Sequence, residues 1–209
     1  MSQDRGYEIL NSDKMMKRRF RMFEKCTEVR QWLSEFDSEW MFAGGWAIDL
    51  HIGEETRHHE DVEVAIFRED QHELYEALKS WDLHVVKKKD IKRWEGETLT
   101  LPDHEIHAFS QEGHRLEILL NEKNKHRWQF RRDPFITFEI SRMHLQSEHG
   151  HSYLNPEIVL LYKSTYTTEK DAEDFLHVFP FLNDHQKEWL KQALMHHQPE
   201  HPWLEALLY

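Results

Sequence analysis

Apolar residues recur along this chain at two spacings, every third or fourth position and every second, and the changes between them mark its elements. After the cap-like run Asn11-Ser12-Asp13, residues Met16, Phe20, Phe23, Cys26, Val29 and Leu33 fall at helical spacing and predict a long helix from Asp13 to Phe36. A short apolar strand over Trp40–Ala43 then meets Gly44-Gly45 and a short helix over Trp46–Ile52. From Asp61 to Phe67 acidic and aliphatic residues alternate, which is a strand. Leu74, Tyr75, Leu78 and Trp81 predict a helix over Glu69–Trp81, followed by a strand over Leu83–Lys87 that ends in Lys87-Lys88-Lys89. Periodicity is lost from Trp94 to Pro102, a loop.

Two further strands, Glu105–Phe109 and Arg115–Asn121, are joined through the turn residues Gln111-Glu112-Gly113, giving an antiparallel hairpin beside the acid-bearing strand. Asn121–Asp133 is polar and basic, with Lys123, Lys125, Arg127, Arg131 and Arg132, and reads as a surface loop that could close over a substrate. Pro134–Ile140 alternates again and is expected to pair with a strand near His151–Leu154. The last third changes character. Pro156 in a first turn opens a helix carrying Ile158, Leu161 and Tyr162. Helices follow over Glu169–Val178 and Asp184–His196, with a last turn over Pro202–Leu208. The fold class is α+β: a small mixed or antiparallel sheet flanked by helices, with a C-terminal helical portion. Residues 1–154 are expected to form an α/β domain and residues 155–209 a helical subdomain packed on it, one wall of a cleft.

Composition narrows the function. A hydrophobic fraction of 39% with eight Trp in 209 residues specifies a folded globular chain with an ample core. The formal net charge of −12 argues against nucleic acid as a partner, because phosphate contacts need clustered Lys and Arg, and suits a cationic small molecule instead. The basic run Lys14, Lys17, Arg18, Arg19 and Arg21 is the local exception and reads chiefly as a solvated helix face. The one cysteine, Cys26, excludes an intrachain disulfide and a cysteine-rich zinc module, and its place in the helical pattern makes it a core residue. The 17 His show no HExxH-type spacing and are read as mostly exposed. No charged-then-apolar leader opens the sequence, and no apolar run approaches the ~20 residues of a membrane span. The expectation is a cytoplasmic protein with no membrane partner.

The candidate chemistry lies at the glycine pair and the acid strand. Alternation puts Asp61 and Glu63 on one face of the strand while Val62, Val64 and Ile66 enter the core. Two carboxylates so placed repel each other unless a positive group lies between them, and a divalent cation with oxygen ligands answers that need. Gly44 and Gly45 let backbone N–H groups approach an anion, and the helix behind them adds its positive N-terminus. Either feature alone is ordinary: a Gly-Gly is usually a turn, and an acid–x–acid strand usually a solvated face. Together they suit a nucleoside triphosphate with Mg²⁺. Glu117, set among aliphatics in the hairpin strand, is a further acid that needs a partner.

Gly44-Gly45-Trp46-Ala47-Ile48-Asp49, then Gly53, Thr56-Arg57 and His59-Glu60-Asp61-Val62-Glu63-Val64, resembles the signature of the aminoglycoside and lincosamide nucleotidyltransferases, small members of the polymerase-β-type superfamily. The resemblance extends to Pro156–Lys163 and to Lys170-Asp171-Ala172-Glu173-Asp174-Phe175. It implies that Asp61, Glu63 and Glu117 are the catalytic, metal-binding carboxylates, with Glu117 as general base, and that Gly44, Gly45, Arg57, Lys163 and Lys170 bind the nucleotide. Asp49 is assigned to fixing the local turn, and Glu122 and Asp103 stand behind Glu117 as fallbacks. The family usually has Asp where this chain has Glu63 and Glu117; a Glu reaches one carbon further, which bears on rate more than on metal binding. The implied activity is Mg²⁺-dependent transfer of a nucleoside monophosphate, AMP from ATP, to a hydroxyl of a small, cationic acceptor such as an aminoglycoside or lincosamide. Two alternatives stay open: the same chemistry on a protein or RNA partner, as in toxin–antitoxin pairs, and a non-catalytic nucleotide-binding relative. Oligomerisation is compatible with each.

Overall fold

The computed structural model describes residues 23–88 and 90–208. The start of the predicted N-terminal helix, with its basic residues up to Arg21, lies outside them; so does Lys89. Within them, helix α1 (Glu24–Trp32) stops before Phe36, and Cys26, Val29 and Leu33 are buried as their spacing requires. Strand β1 (Trp40–Phe42) leads through Ala43 into α2 (Gly44–Ile52), which Gly53 ends in a left-handed conformation.

Strand β2 (Glu63–Phe67) lies between β1 and a long hairpin strand. Strand formation begins at Glu63, so Asp61 sits just before the strand and not in it. Val62, Val64 and Ile66 are buried as expected, but Ala65 and Phe67 are buried too. A central strand covered on both faces keeps no polar alternation once it passes the site.

A short 3₁₀ turn over Arg68–Asp70 precedes α3 (Gln71–Ala77), shorter than the predicted Glu69–Trp81 because the chain must turn beyond Leu78 to enter β3 (Asp82–Lys87). Strand β4 (Asp90–Arg93), an element absent from the sequence reading, folds back on β3 with every residue exposed; an edge strand with no core face has no apolar period to read. The hairpin of β5 (Glu105–Phe109) and β6 (Arg115–Asn124) forms as predicted, and β6 pairs parallel with β2.

The segment Asn121–Asp133 is not a loop. Strand β6 runs on to Asn124, and β7 (Arg127–Phe130) and β8 (Asp133–Glu139) continue as a second meander. The alternation was present in Trp128 and Phe130, both fully buried, but Lys and Arg crowd around it. Strand β8 accordingly pairs with β7. The strand near His151 is β10 (Ser152–Leu154), which pairs instead with β9 (His144–Gln146) and β1. The mixed sheet has the order β4-β3-β5-β6-β2-β1-β10-β9.

Four helices close the fold: α4 (Pro156–Lys163), α5 (Glu169–Val178), α6 (Asp184–His197) and α7 (Trp203–Leu208), at nearly the predicted bounds. Residues 156–161 of α4 are all buried, so this helix is enclosed rather than laid on a surface. Reciprocal capping by Thr168 with Asp171 and by Asn183 with Gln186 starts α5 and α6. Helix α2 packs against β2, β10, α4 and α5, which brings the glycine turn, the acid strand and the helical portion to one place.

Candidate active site

Gly44 has φ +55°, and a Cβ there would lie 1.4 Å from Oε2 of Glu63. Both the left-handed backbone and the close approach require glycine. The space its missing side chain leaves is filled by the Glu63 carboxylate. At Gly45 a Cβ would meet Nη2 of Arg57 at 2.5 Å and the His59 ring. The two glycines therefore admit, in turn, an acid and a base-rich loop.

Sheet register sets the rest. Glu63 on β2 and Glu117 on β6 are direct partners across the parallel pair, and His107 on β5 is opposite Glu117 on its other side. His107 Nε2 lies 2.6 Å from Oε1 of Glu105 and 3.6 Å from Oε1 of Glu117. Among the described residues, the His and acid group whose ligand atoms all come within 4.8 Å of one another is Glu105, His107 and Glu117. Asp61 reaches this row through Arg115, whose Nη2 hydrogen-bonds Glu117 and lies 3.7 Å from Oδ2 of Asp61. The indole N–H of Trp46 donates to the Asp61 carbonyl at 3.0 Å and fixes the backbone there.

Crowding of like charge appears in the acidities. Burial pushes the Glu63 carboxyl up to about 7; Lys163 opposes this, and Glu117, Asp61 and Glu105 add to it. Burial and Asp61 also raise Glu117, against His107 and Arg115. This oxygen-rich set, with a guanidinium already standing between Asp61 and Glu117, suits a divalent cation; of the three predicted acids Glu117 belongs to the compact group with Glu105 and His107, while Asp61 and Glu63 lie outside it.

Glu63 and Gly44 line a cavity of about 270 Å³ with Lys163, Asn121, Arg131 and Arg132. Its apolar wall comes from Ala43, Ala65, Leu119, Leu154, Val159 and Tyr162. Arg131 lies over the Tyr162 ring and 2.6 Å from His104 Nε2, while Arg132 donates to the Tyr162 carbonyl at 3.2 Å. The cavity lining thus carries both acids and cations.

The other predicted residues are placed less directly. Arg57 forms a two-point pair with Asp174, 2.8 and 3.0 Å, and Lys163 reaches Asp174 at 2.9 Å and Asp171 at 2.6 Å. Of these cations Lys163 lines the cavity; Arg57 braces the loop after α2 against α5. Lys170 makes an exposed pair with Glu60 at 3.1 Å, outside the cavity lining. Asp49 is fully buried, accepts from Thr56 Oγ1 at 2.6 Å and meets His59 Nε2 at 2.6 Å, so it does fix the turn. The fallback acids are occupied elsewhere, Glu122 by Arg68 and Asp103 by Lys87. Sequence reasoning missed Glu105, His107 and the place of Tyr162. The alternation of Glu105 and His107 two residues apart was the signal for the first two. In the sequence Arg131 and Arg132 are part of a basic segment with no further signal.

No curated protein sequence matches the chain. Solved structures do. The lincosamide antibiotic adenylyltransferase LnuA, lincomycin-bound, superposes with TM-score 0.55 at 15% identity, over 76% of this chain and 98% of that one. ANT(2'')-Ia in complex with adenylyl-2''-tobramycin gives 0.55 at 14% identity, over 82% and 96%. The solution structure of the antibiotic-resistance factor ANT(2'')-Ia gives 0.52 at 16%, over 84% and 96%. At these identities the likeness speaks for the α+β fold alone. The model of the aminoglycoside-2''-adenylyltransferase family matches residues 25–147, more than half of the chain, across the glycine turn, all three acids and the arginine pair. The chain belongs to the aminoglycoside-2''-adenylyltransferase family.

Proposed function

We propose that this protein transfers AMP from ATP to a hydroxyl of a small cationic antibiotic of the aminoglycoside or lincosamide kind. The observation that carries the reading is the register of Glu63 against Glu117 with Gly44 packed on the Glu63 carboxylate, three separate points of the chain meeting where Glu63 and Gly44 line one cavity. Membership of an antibiotic adenylyltransferase family supports the reaction class. The formal charge of −12 supports a cationic acceptor.

In this reading the triphosphate lies along the cavity, its charge met by Lys163, Arg131 and Arg132. Gly44 and Gly45 offer backbone to the phosphates, and Arg57 and Lys170 act from outside the lining, Arg57 by holding Asp174 and through it Lys163. Glu117 takes the proton from the acceptor hydroxyl, whose oxygen bonds to the α-phosphorus as the bond to the β-phosphate oxygen breaks and pyrophosphate leaves. Mg²⁺ held by Asp61, Glu63 and Glu117 would neutralise charge developing on the transferred group and favour in-line geometry. Residues 155–209 act as a helical subdomain that walls the cleft.

The test is incubation with α-labelled ATP, Mg²⁺ and a panel of acceptors. Pyrophosphate release that depends on an aminoglycoside or lincosamide is the expected result. Label on protein or RNA would instead select the macromolecular acceptor, and ATP binding without release a non-catalytic relative.

A further inference from the structure

We infer that Arg115 is a positioning residue: an exchangeable counter-ion that holds Asp61 and Glu117 together and gives way to the divalent cation. The inference rests on the reading of these acids as metal ligands and goes beyond it by assigning a residue outside that set.

Arg115 opens β6, and its side chain leaves the strand on the same face as Glu117, two residues on. Its Nη2 hydrogen-bonds Oε1 of Glu117 and stands 3.7 Å from Oδ2 of Asp61, so one guanidinium spans from the hairpin to the loop before β2. Glu105 adds further negative charge beside Glu117, and Glu117 and Asp61 in turn act on Glu63. An ion ligated at ~2.1 Å by oxygens of Asp61 and Glu117 needs the volume that this guanidinium fills, so both cannot be present.

Exposure decides which one yields. The Arg115 side chain is 42% exposed, against 12% for Glu117. A half-exposed arginine pair is weak and its arm can rehydrate in water, whereas Glu117, within the sheet, has less water to turn to. Metal affinity is then a difference: the cation gained less the guanidinium released. Before the cation arrives, the same guanidinium stands between two mutually repelling carboxylates.

The experiment is Mn²⁺ binding to the full chain, read by loss of the free-ion EPR signal, for wild type, Arg115→Gln, Arg115→Lys and Asp61→Asn. Circular dichroism confirms that each folds. Expected is Mn²⁺ binding roughly fivefold tighter in Arg115→Gln, the competing exposed pair being gone. Arg115→Lys should stay near wild type. Without metal, Arg115→Gln should melt below wild type, and the gap should close at saturating Mn²⁺. If Asp61→Asn weakens Mn²⁺ binding while Arg115→Gln leaves it unchanged or weaker, the counter-ion role is wrong and the metal site stands. If Asp61→Asn binds as wild type does, the metal reading fails and the role of Arg115 fails with it.

Discussion

At the entry to β2 and β6, Asp61, Glu63, Glu105 and Glu117 set like charges together; between the loop after α2 and helix α5, Arg57 and Lys163 set two cations against Asp171 and Asp174. The two clusters contain the same chemical groups and behave oppositely. Burial and neighbouring acids raise Glu63 and Glu117. Burial also acts to raise Asp174, yet hydrogen bonds from Arg57 and Lys163 hold it below the usual carboxylate range. The second cluster is balanced and acts as a brace. The first keeps an excess of negative charge even with Arg115 and His107 beside it, which supports the proposed cation site.

Removing the proposed base should separate the clusters most sharply. Glu117→Gln keeps the shape and hydrogen-bonding capacity while deleting the proton acceptor, so kcat should fall by ~10²–10⁴-fold. Thermal stability should be kept or raised, because one of the crowded negative charges is gone. A steady-state assay beside a melting curve reads both; a large loss of stability would mean that the acid row is itself a brace. Arg57→Ala should do the reverse. It leaves fully buried Asp174 with Lys163 as its remaining cation, costing about 3 kcal/mol in a denaturant titration. Any fall in kcat at temperatures where the variant is folded would reflect Lys163 losing its orientation.

How much of this was readable follows from where each signal is written. Glu63, Gly44 and the hairpin strand were legible because a period-2 pattern fixes the face, and facing glutamates need only the strand pairing to meet. Asp61 was placed on the right side but in the wrong element, since hydrogen bonding begins one pleat later than alternation suggests. The brace was not legible: Arg57 meets Asp174 across more than a hundred residues, and nothing local distinguishes a phosphate-binding arginine from one spent on an aspartate. Arg131 and Arg132 hid for a third reason. Their segment owes its strand to Trp128 and Phe130 packing under α4, a tertiary effect that overrides a polar local composition.

Glu157 sharpens the comparison because it is raised by burial without acidic company. Its carboxyl, on enclosed α4, is pushed up to about 7 by burial, as far as Glu63. An acid whose folded value is raised holds more protons in the native than in the unfolded state between its ordinary value and the raised one. Each therefore withdraws stability as pH climbs through the interval from ~4.5 to 7, and contributes its full stabilisation below it. Glu157→Gln should flatten that slope and leave Mn²⁺ binding unaltered. Glu63→Gln should flatten it as well but abolish the effect of Mn²⁺ on it. Chemical denaturation at a series of pH values, with and without Mn²⁺, distinguishes an acid that is merely buried from one that is buried and crowded; equal metal responses in the two variants would erase the distinction.

The smallest effect should come from Lys170. Its pair with Glu60 is exposed on both sides and lies outside the cavity lining, so Lys170→Ala should leave the unfolding midpoint unchanged. Its remaining influence on a triphosphate is attraction through water, which falls off over a Debye length of ~8 Å at physiological salt. KM for ATP should therefore rise slightly at low ionic strength, and the rise should vanish as salt is added. A rise that persists at high salt would require direct contact, meaning that α5 swings its first turn inward over the nucleotide and that the brace between Arg57 and Asp174 is a hinge and not a fixed strut.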